Sequence, residues 1–169
     1  MIVNRVISTM SALPYTNISA YQFKQVDAAS LPAMREDLRS QARVMELKGT
    51  ILLSTEGINL FISGPEATVA KLVDLIKSYG FEFTPKHSPS PRQPFKRMLV
   101  KIKKEIIAMG QDEIKPMKQT APYVTPQTLK AWLDAGEDVV LLDTRNDYEV
   151  RIGAFKDAMI MPLKSFRQF

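Results

Sequence analysis

Apolar and polar residues alternate along several short stretches in the first half of the chain, a period-two pattern typical of strands. Residues 18–26 (ISAYQFKQV) alternate in this way, with Ile18 and Ala20 on one side and Tyr21 on the other. Residues 50–54 and 58–63 are two further apolar runs, and the short Thr-Glu-Gly turn between them predicts a hairpin. Residues 81–83 (FEF) predict the start of a fourth strand.

Two helices are predicted between these strands, each with a signal for its start and its end. The first begins at Ser30-Leu31-Pro32, carries apolar residues at helical spacing, and ends before Gly49, which is predicted as its C′ glycine. The second runs from Gly64-Pro65-Glu66 to Gly80. The resulting order β-α-β-β-α-β predicts an α+β fold of the ferredoxin-like type, a split βαβ sandwich with two helices against one face of an antiparallel sheet.

The chain from residue 85 to residue 107 changes character twice. Residues 85–94 (PKHSPSPRQP) hold four of the eleven prolines and predict an extended surface loop. Residues 95–107 (FKRMLVKIKKEII) alternate again and predict a half-buried strand with a basic outer face. We therefore assign residues 1–115 to the ferredoxin-like domain.

A different pattern begins after residues 116–122, which lack periodicity and predict a linker. Residues 123–169 are predicted to start with a helix whose N-cap is Thr125, with Trp132 on its apolar, core-facing side. Residues 138–143 (DVVLLD) and 158–162 (AMIMP) predict strands of a parallel α/β sheet. Two such strands do not bury both faces of a sheet, so the segment is predicted to be a truncated α/β domain with an apolar patch that drives self-association.

Composition narrows the possible chemistry. The chain has no cysteine and a single histidine, His87, which excludes disulfides, thiolate metal sites and a cysteine nucleophile within these residues. No catalytic residue and no metal ligand is therefore predicted in the chain. No apolar run reaches the roughly 18 residues of a membrane span, and the N-terminus lacks the pattern of a secretory signal. These features predict a cytoplasmic protein with no membrane association.

Positive charge is concentrated in the first part of the chain. Residues 1–120 hold 17 Lys and Arg against 11 Asp and Glu, and no acidic residue lies between Glu82 and Glu105. Clustered positive charge attracts polyanions such as nucleic acid, although lysines on an edge strand also serve to prevent sheet-to-sheet aggregation. The candidate RNA-binding residues are those of the basic segment: Lys86, Arg92, Lys96, Arg97, Lys101, Lys103 and Lys104.

The two halves of the chain resemble one family. Residues 139–169 (VVLLDTRNDYEVRIGAFKDAMIMPLKSFRQF) resemble the opening of a rhodanese domain: an apolar strand ends in Asp-x-Arg, and an acidic residue and a glycine follow. The hairpin motif Glu56-Gly57-Ile58-Asn59 and the basic strand from Phe95 resemble the N-terminal part of the rhodanese-related family that hydroxylates the wobble uridine of tRNA. The resemblance extends over roughly residues 18–169.

The resemblance implies that the chain is the N-terminal part of an enzyme for oxygen-dependent 5-hydroxylation of uridine 34. tRNA is the implied partner, molecular oxygen the implied co-substrate, and the nucleophilic cysteine is expected after Phe169; no other cofactor is implied. In such domains a charged motif holds the early loops together, here Asp143, Arg145, Asn146, Tyr148 and Glu149. Two alternatives stay open: a rhodanese-type sulfurtransferase, and a non-catalytic RNA-binding or adaptor module.

Overall fold

A computed structural model of the chain describes residues 13–107, 110, 121–161, 163, 164 and 168. The chain divides between Ile106 and Ile107 into two compact units, here called the N-terminal and C-terminal units. Most of the predicted linker, residues 116–122, lies outside the described residues. Within the described residues, none of the helices has the length and apolar character needed to cross a bilayer.

The N-terminal unit, over residues 13–106, consists of five strands and two helices. Their bounds are β1 Tyr15–Phe23, α1 Leu31–Val44, β2 Lys48–Ser54, β3 Gly57–Gly64, α2 Glu66–Ser78, β4 Lys86–Ser90 and β5 Met98–Ile102. The strand order across the sheet is β4-β1-β3-β2-β5. Neighbouring strands are antiparallel except β5, which is parallel to β2 and extends the sheet at that edge. The predicted α+β class is confirmed.

One face of this sheet packs against the two helices. Every second residue of the strands points into the core, as Ile18, Ile51 and Leu60 do, and the apolar sides of both helices meet them through residues such as Leu38 and Leu72. Burying each such side chain contributes roughly 1.5–3 kcal/mol. The same alternation leaves the other residues of each strand on the opposite side, which is called the open face below.

The fourth strand lies further along the chain than the sequence pattern predicts. Residues 81–83 are not a strand; Phe81 is a buried loop residue, and the ammonium group of Lys24 lies 5.5 Å from the centre of its ring. Strand β4 instead falls within the predicted surface loop and includes Pro89. Because β4 pairs only with β1, it is an edge strand, where a proline without an N–H is tolerated.

The first helix also ends differently from the prediction. The residue in the left-handed conformation that follows α1 is Glu46, with φ of +53°, and not Gly49. Gly49 lies inside β2 with φ of +139°, and a Cβ atom there would approach the carbonyl oxygen of Phe61 to 2.0 Å. Gly49 is therefore required by the close approach of β2 and β3 and not by the helix end.

The C-terminal unit is small within the described residues. Its elements are α3 Pro126–Asp134, β6 Leu142–Asp143, α4 Asp147–Val150 and β7 Met159–Ile160. Thr125 caps α3 as predicted, since its hydroxyl accepts a hydrogen bond from the amide of Thr128. Strands β6 and β7 are parallel but only two residues long each, shorter than predicted. Trp132 is 39% exposed, so the prediction that it lies in a core is wrong within this unit.

Candidate nucleic-acid interface

The open face of the N-terminal sheet carries every lysine found in its strands. Lys86 of β4 pairs with Ser19, Lys48 of β2 pairs with Ser63, and Lys101 of β5 pairs with Leu52. Lys48 and Lys101 alternate with buried or core-packed neighbours, and Lys86 pairs with Ser19, which lies between the core residues Ile18 and Ala20. The three lysines therefore point to the open side. Strand register, which joins residues far apart in sequence, thus brings them onto one surface.

No carboxylate offsets these lysines within the sheet. Strands β1 to β5, as the structure describes them, contain no Asp and no Glu. The two helices on the other side carry charges of both signs, for example Asp74 and Lys77 on α2. All charged side chains that the strands present on the open face are therefore lysines, which favours the approach of a polyanion.

Two aromatic rings stand exposed in the middle of the open face. Tyr21 of β1 is 59% exposed, and Phe61 of β3 is 49% exposed. Tyr21 pairs with Asn59, two residues before Phe61, so the two rings are diagonal neighbours, a separation of roughly 7–8 Å in an antiparallel sheet. Phe23 lies beside Tyr21 on the same strand, with ring centroids 6.0 Å apart in an edge-to-face arrangement.

The segment after β5 closes one end of the open face. Glu56 accepts a hydrogen bond from the amide of Ile106 at 2.6 Å, and Asn59 donates one to the carbonyl of Ile106 at 2.9 Å. Ser54 donates to the carbonyl of Lys104 at 2.9 Å. Ile106 is 1% exposed and lies outside the main core cluster. The hairpin therefore has a structural function here: Glu56 and Asn59 of the motif bind the backbone of Ile106, and Ser54 binds that of Lys104.

The basic residues predicted from sequence are exposed but do not form one cluster. Lys86 lies on β4 and Lys101 on β5, the two opposite edges of the sheet, four strand spacings or about 19 Å apart. Arg92, Lys96 and Arg97 lie in the connection between these two edges, and Lys103 and Lys104 follow β5. The loop between β4 and β5 runs from one edge of the sheet to the other, so the basic segment is spread over both edges. Contact of these residues with RNA stays a prediction.

Sequence reasoning missed three residues of this surface: Lys48, Tyr21 and Phe61. The alternation in β1 already placed Tyr21 opposite the core residues, so its exposure had a signal in the sequence. Lys48 and Phe61 needed the register of β2 and β3. His87 pairs with Ile18 on the other side of the sheet, and no cluster of potential metal ligands is found in the described part of the chain.

The charged motif of the C-terminal unit is assembled as a local network. The guanidinium of Arg145 binds both carboxylate oxygens of Asp143, at 2.9 and 2.6 Å, and donates to the carbonyl of Gly153 at 2.7 Å. These hydrogen bonds hold the pKa of Asp143 below its usual value. Glu149 accepts from both the backbone and the side-chain amide of Asn146, at 3.1 and 2.7 Å, and the Asn146 amide lies 3.4 Å from the Tyr148 hydroxyl.

An open cleft of about 570 Å³ lies beside this network. It is lined by residues 141–145 and by residues of the 153–158 loop, including Phe155. Asp143 and Arg145 form a bidentate pair at its edge. The network therefore orders the loops after β6, and the cleft presents no thiol or imidazole for nucleophilic chemistry.

The sheet order with β4 and β1 together, a parallel β5 at the far edge and both helices on one face defines an acylphosphatase-like α+β domain. The chain belongs to the family of the UPF0176 acylphosphatase-like domain, whose model matches residues 15–106.

Curated relatives cover more of the chain. A protein of Cupriavidus necator called tRNA uridine(34) hydroxylase is 45% identical over 160 residues, which span 90% of this chain and 56% of that protein. A protein of the same name from Variovorax paradoxus is 46% identical over 160 residues, 90% of this chain and 60% of that protein. The resemblance inferred from the sequence motifs is thus confirmed, and the chain spans little more than half the length of these relatives.

Among solved structures, an acylphosphatase from Bacillus subtilis superposes with a TM-score of 0.37 at 17% identity, covering 51% of this chain and 94% of that one.

Proposed function

We propose that this chain is the N-terminal part of a tRNA-modifying enzyme that hydroxylates uridine at position 34, with molecular oxygen as the co-substrate. The observation that carries the proposal is the 44–46% identity to several proteins called tRNA uridine(34) hydroxylase, over 90% of the chain. The proposed reaction requires a nucleophilic cysteine, and these 169 residues contain none.

In this proposal the N-terminal unit supplies tRNA binding. Its open face offers Lys48, Lys86 and Lys101, with Arg97 and Lys103 at the β5 edge and no acidic residue in the strands. Phosphate contacts of this kind provide most of the affinity for nucleic acid and position it without reading sequence. The C-terminal unit, with its parallel strands and the Asp143–Arg145 network, forms the start of the rhodanese-like part that carries the chemistry.

The experiment that tests the function measures modified nucleosides in tRNA. Total tRNA is digested and analysed by mass spectrometry from cells that lack the gene and from the same cells carrying the complete reading frame. The expected result is loss of 5-hydroxyuridine-derived nucleosides in the deletion and their return with the complete protein. Growth under ¹⁸O₂ is expected to place the label in the restored nucleoside.

Two results would contradict the proposal in different ways. Unchanged nucleosides in the deletion, together with transfer of sulfur from thiosulfate by the complete protein, would make it a sulfurtransferase. Unchanged nucleosides with tight tRNA binding and no turnover would leave an RNA-binding module. The matched control is a complete reading frame in which residues 13–107 are intact and the expected cysteine is replaced by serine, which is expected to bind tRNA without restoring the nucleosides.

A further inference from the structure

The exposed rings of the open face occupy the two central strands of the sheet. Tyr21 lies on β1 and Phe61 on β3, and both β1 and β3 are flanked on each side by another strand. Aromatic side chains of this size contribute strongly to stability when buried, so two rings left about half exposed on interior strands of a sheet are available for a ligand. The helices cover the opposite side and do not reach them.

Each ring has a lysine one diagonal step away on the next strand. Lys86 is opposite Ser19, two residues from Tyr21, and Lys48 is opposite Ser63, two residues from Phe61. Tyr21, Phe61 and Lys48 thus follow one diagonal across three strands, and Lys86 lies on the outer side of Tyr21, level with Phe61. Diagonal neighbours of this kind are roughly 7–8 Å apart, within reach of long side chains.

We infer that Tyr21 and Phe61 form a stacking platform for two unpaired bases of RNA, with Lys48 and Lys86 binding the adjacent phosphates. This inference rests on the proposed function, because the substrate uridine 34 would lie in a single-stranded loop. Single-stranded RNA is recognised by stacking of unstacked bases on aromatic side chains, and domains with a four-stranded sheet use rings on that sheet for it. Lysines beside the rings supply the positive charge that the backbone of such a strand requires.

The chemistry around the rings favours RNA over an apolar protein segment. Several of their neighbours on the open face are polar, among them Ser19, Asn59 and Thr50. The apolar residues of this face, Phe23, Leu52 and Leu99, are half-buried. The centre of a stable protein–protein interface is apolar and depleted of charged residues, whereas here lysines lie next to the rings. Polar side chains next to a stacked base offer hydrogen bonds to its edges.

The test separates stacking from simple apolar contact. The complete protein is titrated with fluorescently labelled octauridine and with a tRNA transcript carrying U34, at fixed salt. Tyr21→Leu and Phe61→Leu keep apolar area but remove the aromatic face, and each is expected to weaken binding roughly tenfold, the typical effect of losing one stacked base. Tyr21→Phe and Phe61→Trp keep the aromatic face and are expected to bind within about twofold of the parent, since every aromatic ring stacks.

A charge control completes the comparison. Lys48→Glu is expected to weaken binding of both RNAs. It is also expected to make the slope of log affinity against log salt concentration shallower by about one unit, the contribution of one phosphate contact. Lys71→Glu is the matched control on α2, on the other side of the sheet, and is expected to have a much smaller effect. Because both rings are exposed, the leucine variants are expected to have the same Tm as the parent. If one of them has a lower Tm, quenching of the Phe61→Trp fluorescence by octauridine tests base stacking at this position instead.

The outcomes also distinguish this inference from the proposed function. If the leucine variants bind both RNAs as tightly as the parent, the platform is wrong, whatever the nucleosides in cells show. If the leucine variants lose binding but deletion of the gene leaves the nucleosides unchanged, the platform stands and uridine hydroxylation fails. Unchanged RNA binding with an altered oligomeric state in the leucine variants would mean that a protein surface covers the rings.

Discussion

Removal of the Glu56 carboxylate is expected to release the segment after β5 from the open face. Glu56 accepts a hydrogen bond from the Ile106 amide at 2.6 Å, and Ile106 is 1% exposed. A hydrogen bond to a charged group contributes about 1.5–3 kcal/mol, and leaving the amide buried without it costs a similar amount. Partial loss of the Ile106 contact adds to this, so Glu56→Ala is expected to lower the free energy of unfolding by about 2–3 kcal/mol.

The assay is thermal and urea denaturation followed by circular dichroism. For a unit of this size each kcal/mol corresponds to roughly 4–8 °C, so a fall in Tm of about 10–20 °C is expected. Glu56→Gln keeps an acceptor oxygen and is expected to lose less than half as much. Glu82→Ala, which removes an exposed carboxylate from the same unit, is the control and is expected to stay within about 0.5 kcal/mol of the parent.

A double-mutant cycle identifies the partner. Ile106→Ala alone is expected to cost about 2–4 kcal/mol, and the combination with Glu56→Ala is expected to cost clearly less than the sum, because both changes release the same segment. Amide hydrogen exchange at Ile106 is expected to accelerate in Glu56→Ala. Additive free energies, or an unfolding free energy of Glu56→Ala within 0.5 kcal/mol of the parent, would refute the view that this carboxylate holds the segment.

Four further predictions follow from other contacts. Lys101→Glu is expected to weaken tRNA binding and lower its salt dependence, measured by fluorescence anisotropy, while Lys71→Glu changes neither by more than about twofold. Glu46→Gly is expected to raise the unfolding free energy by about 0.5–1 kcal/mol, since φ of +53° is strained for a side chain; a loss of stability would contradict this. The hydrogen bond of Tyr79 to Asp37, at 2.6 Å, raises the pKa of Tyr79 to about 12. Its stabilising effect is therefore complete below pH 10 and lost as pH rises to 12, and Tyr79→Phe is expected to abolish this pH dependence in denaturation curves. Finally, the chain is expected to self-associate through exposed apolar residues of the C-terminal unit, and Phe155→Asp to reduce the mass seen by light scattering; a monomeric parent would argue against it.

Local pattern accounts for most of the N-terminal elements. The helices and the hairpin were predicted because their apolar period and their turns are local properties, and α1, α2, β2 and β3 lie where expected. Strand β4 was missed because its sequence KHSPS has neither apolar alternation nor strand propensity; only the free edge of β1 makes it a strand. The sequence does not predict the left-handed conformation of Glu46, because the turn from α1 into β2 imposes it and a glutamate has no preference for it.

The candidate site shows the same division between local and long-range information. Reading the basic residues in sequence order suggested one cluster from Lys86 to Lys104. The structure separates them because the loop between β4 and β5 crosses the sheet from one edge to the other. The residues that share a surface are instead those at alternate positions of different strands, which no sequence window contains. Charge counted along the chain indicates a polyanionic partner, which stays a prediction, while strand register decides which basic residues share a surface.

The hairpin between β2 and β3 connects fold and candidate interface physically. Glu56 in its turn and Asn59 on its second strand both bind the backbone of Ile106 at one end of the open face, and the same strand presents Phe61. Loosening the segment leaves Tyr21, Phe61, Lys48 and Lys86 in place, but this segment carries Lys104, and the change also removes the negative charge of Glu56. If the open face binds RNA, Glu56→Ala is therefore expected, at a temperature well below its Tm, to bind RNA at least as tightly as the parent, and weaker binding would contradict this.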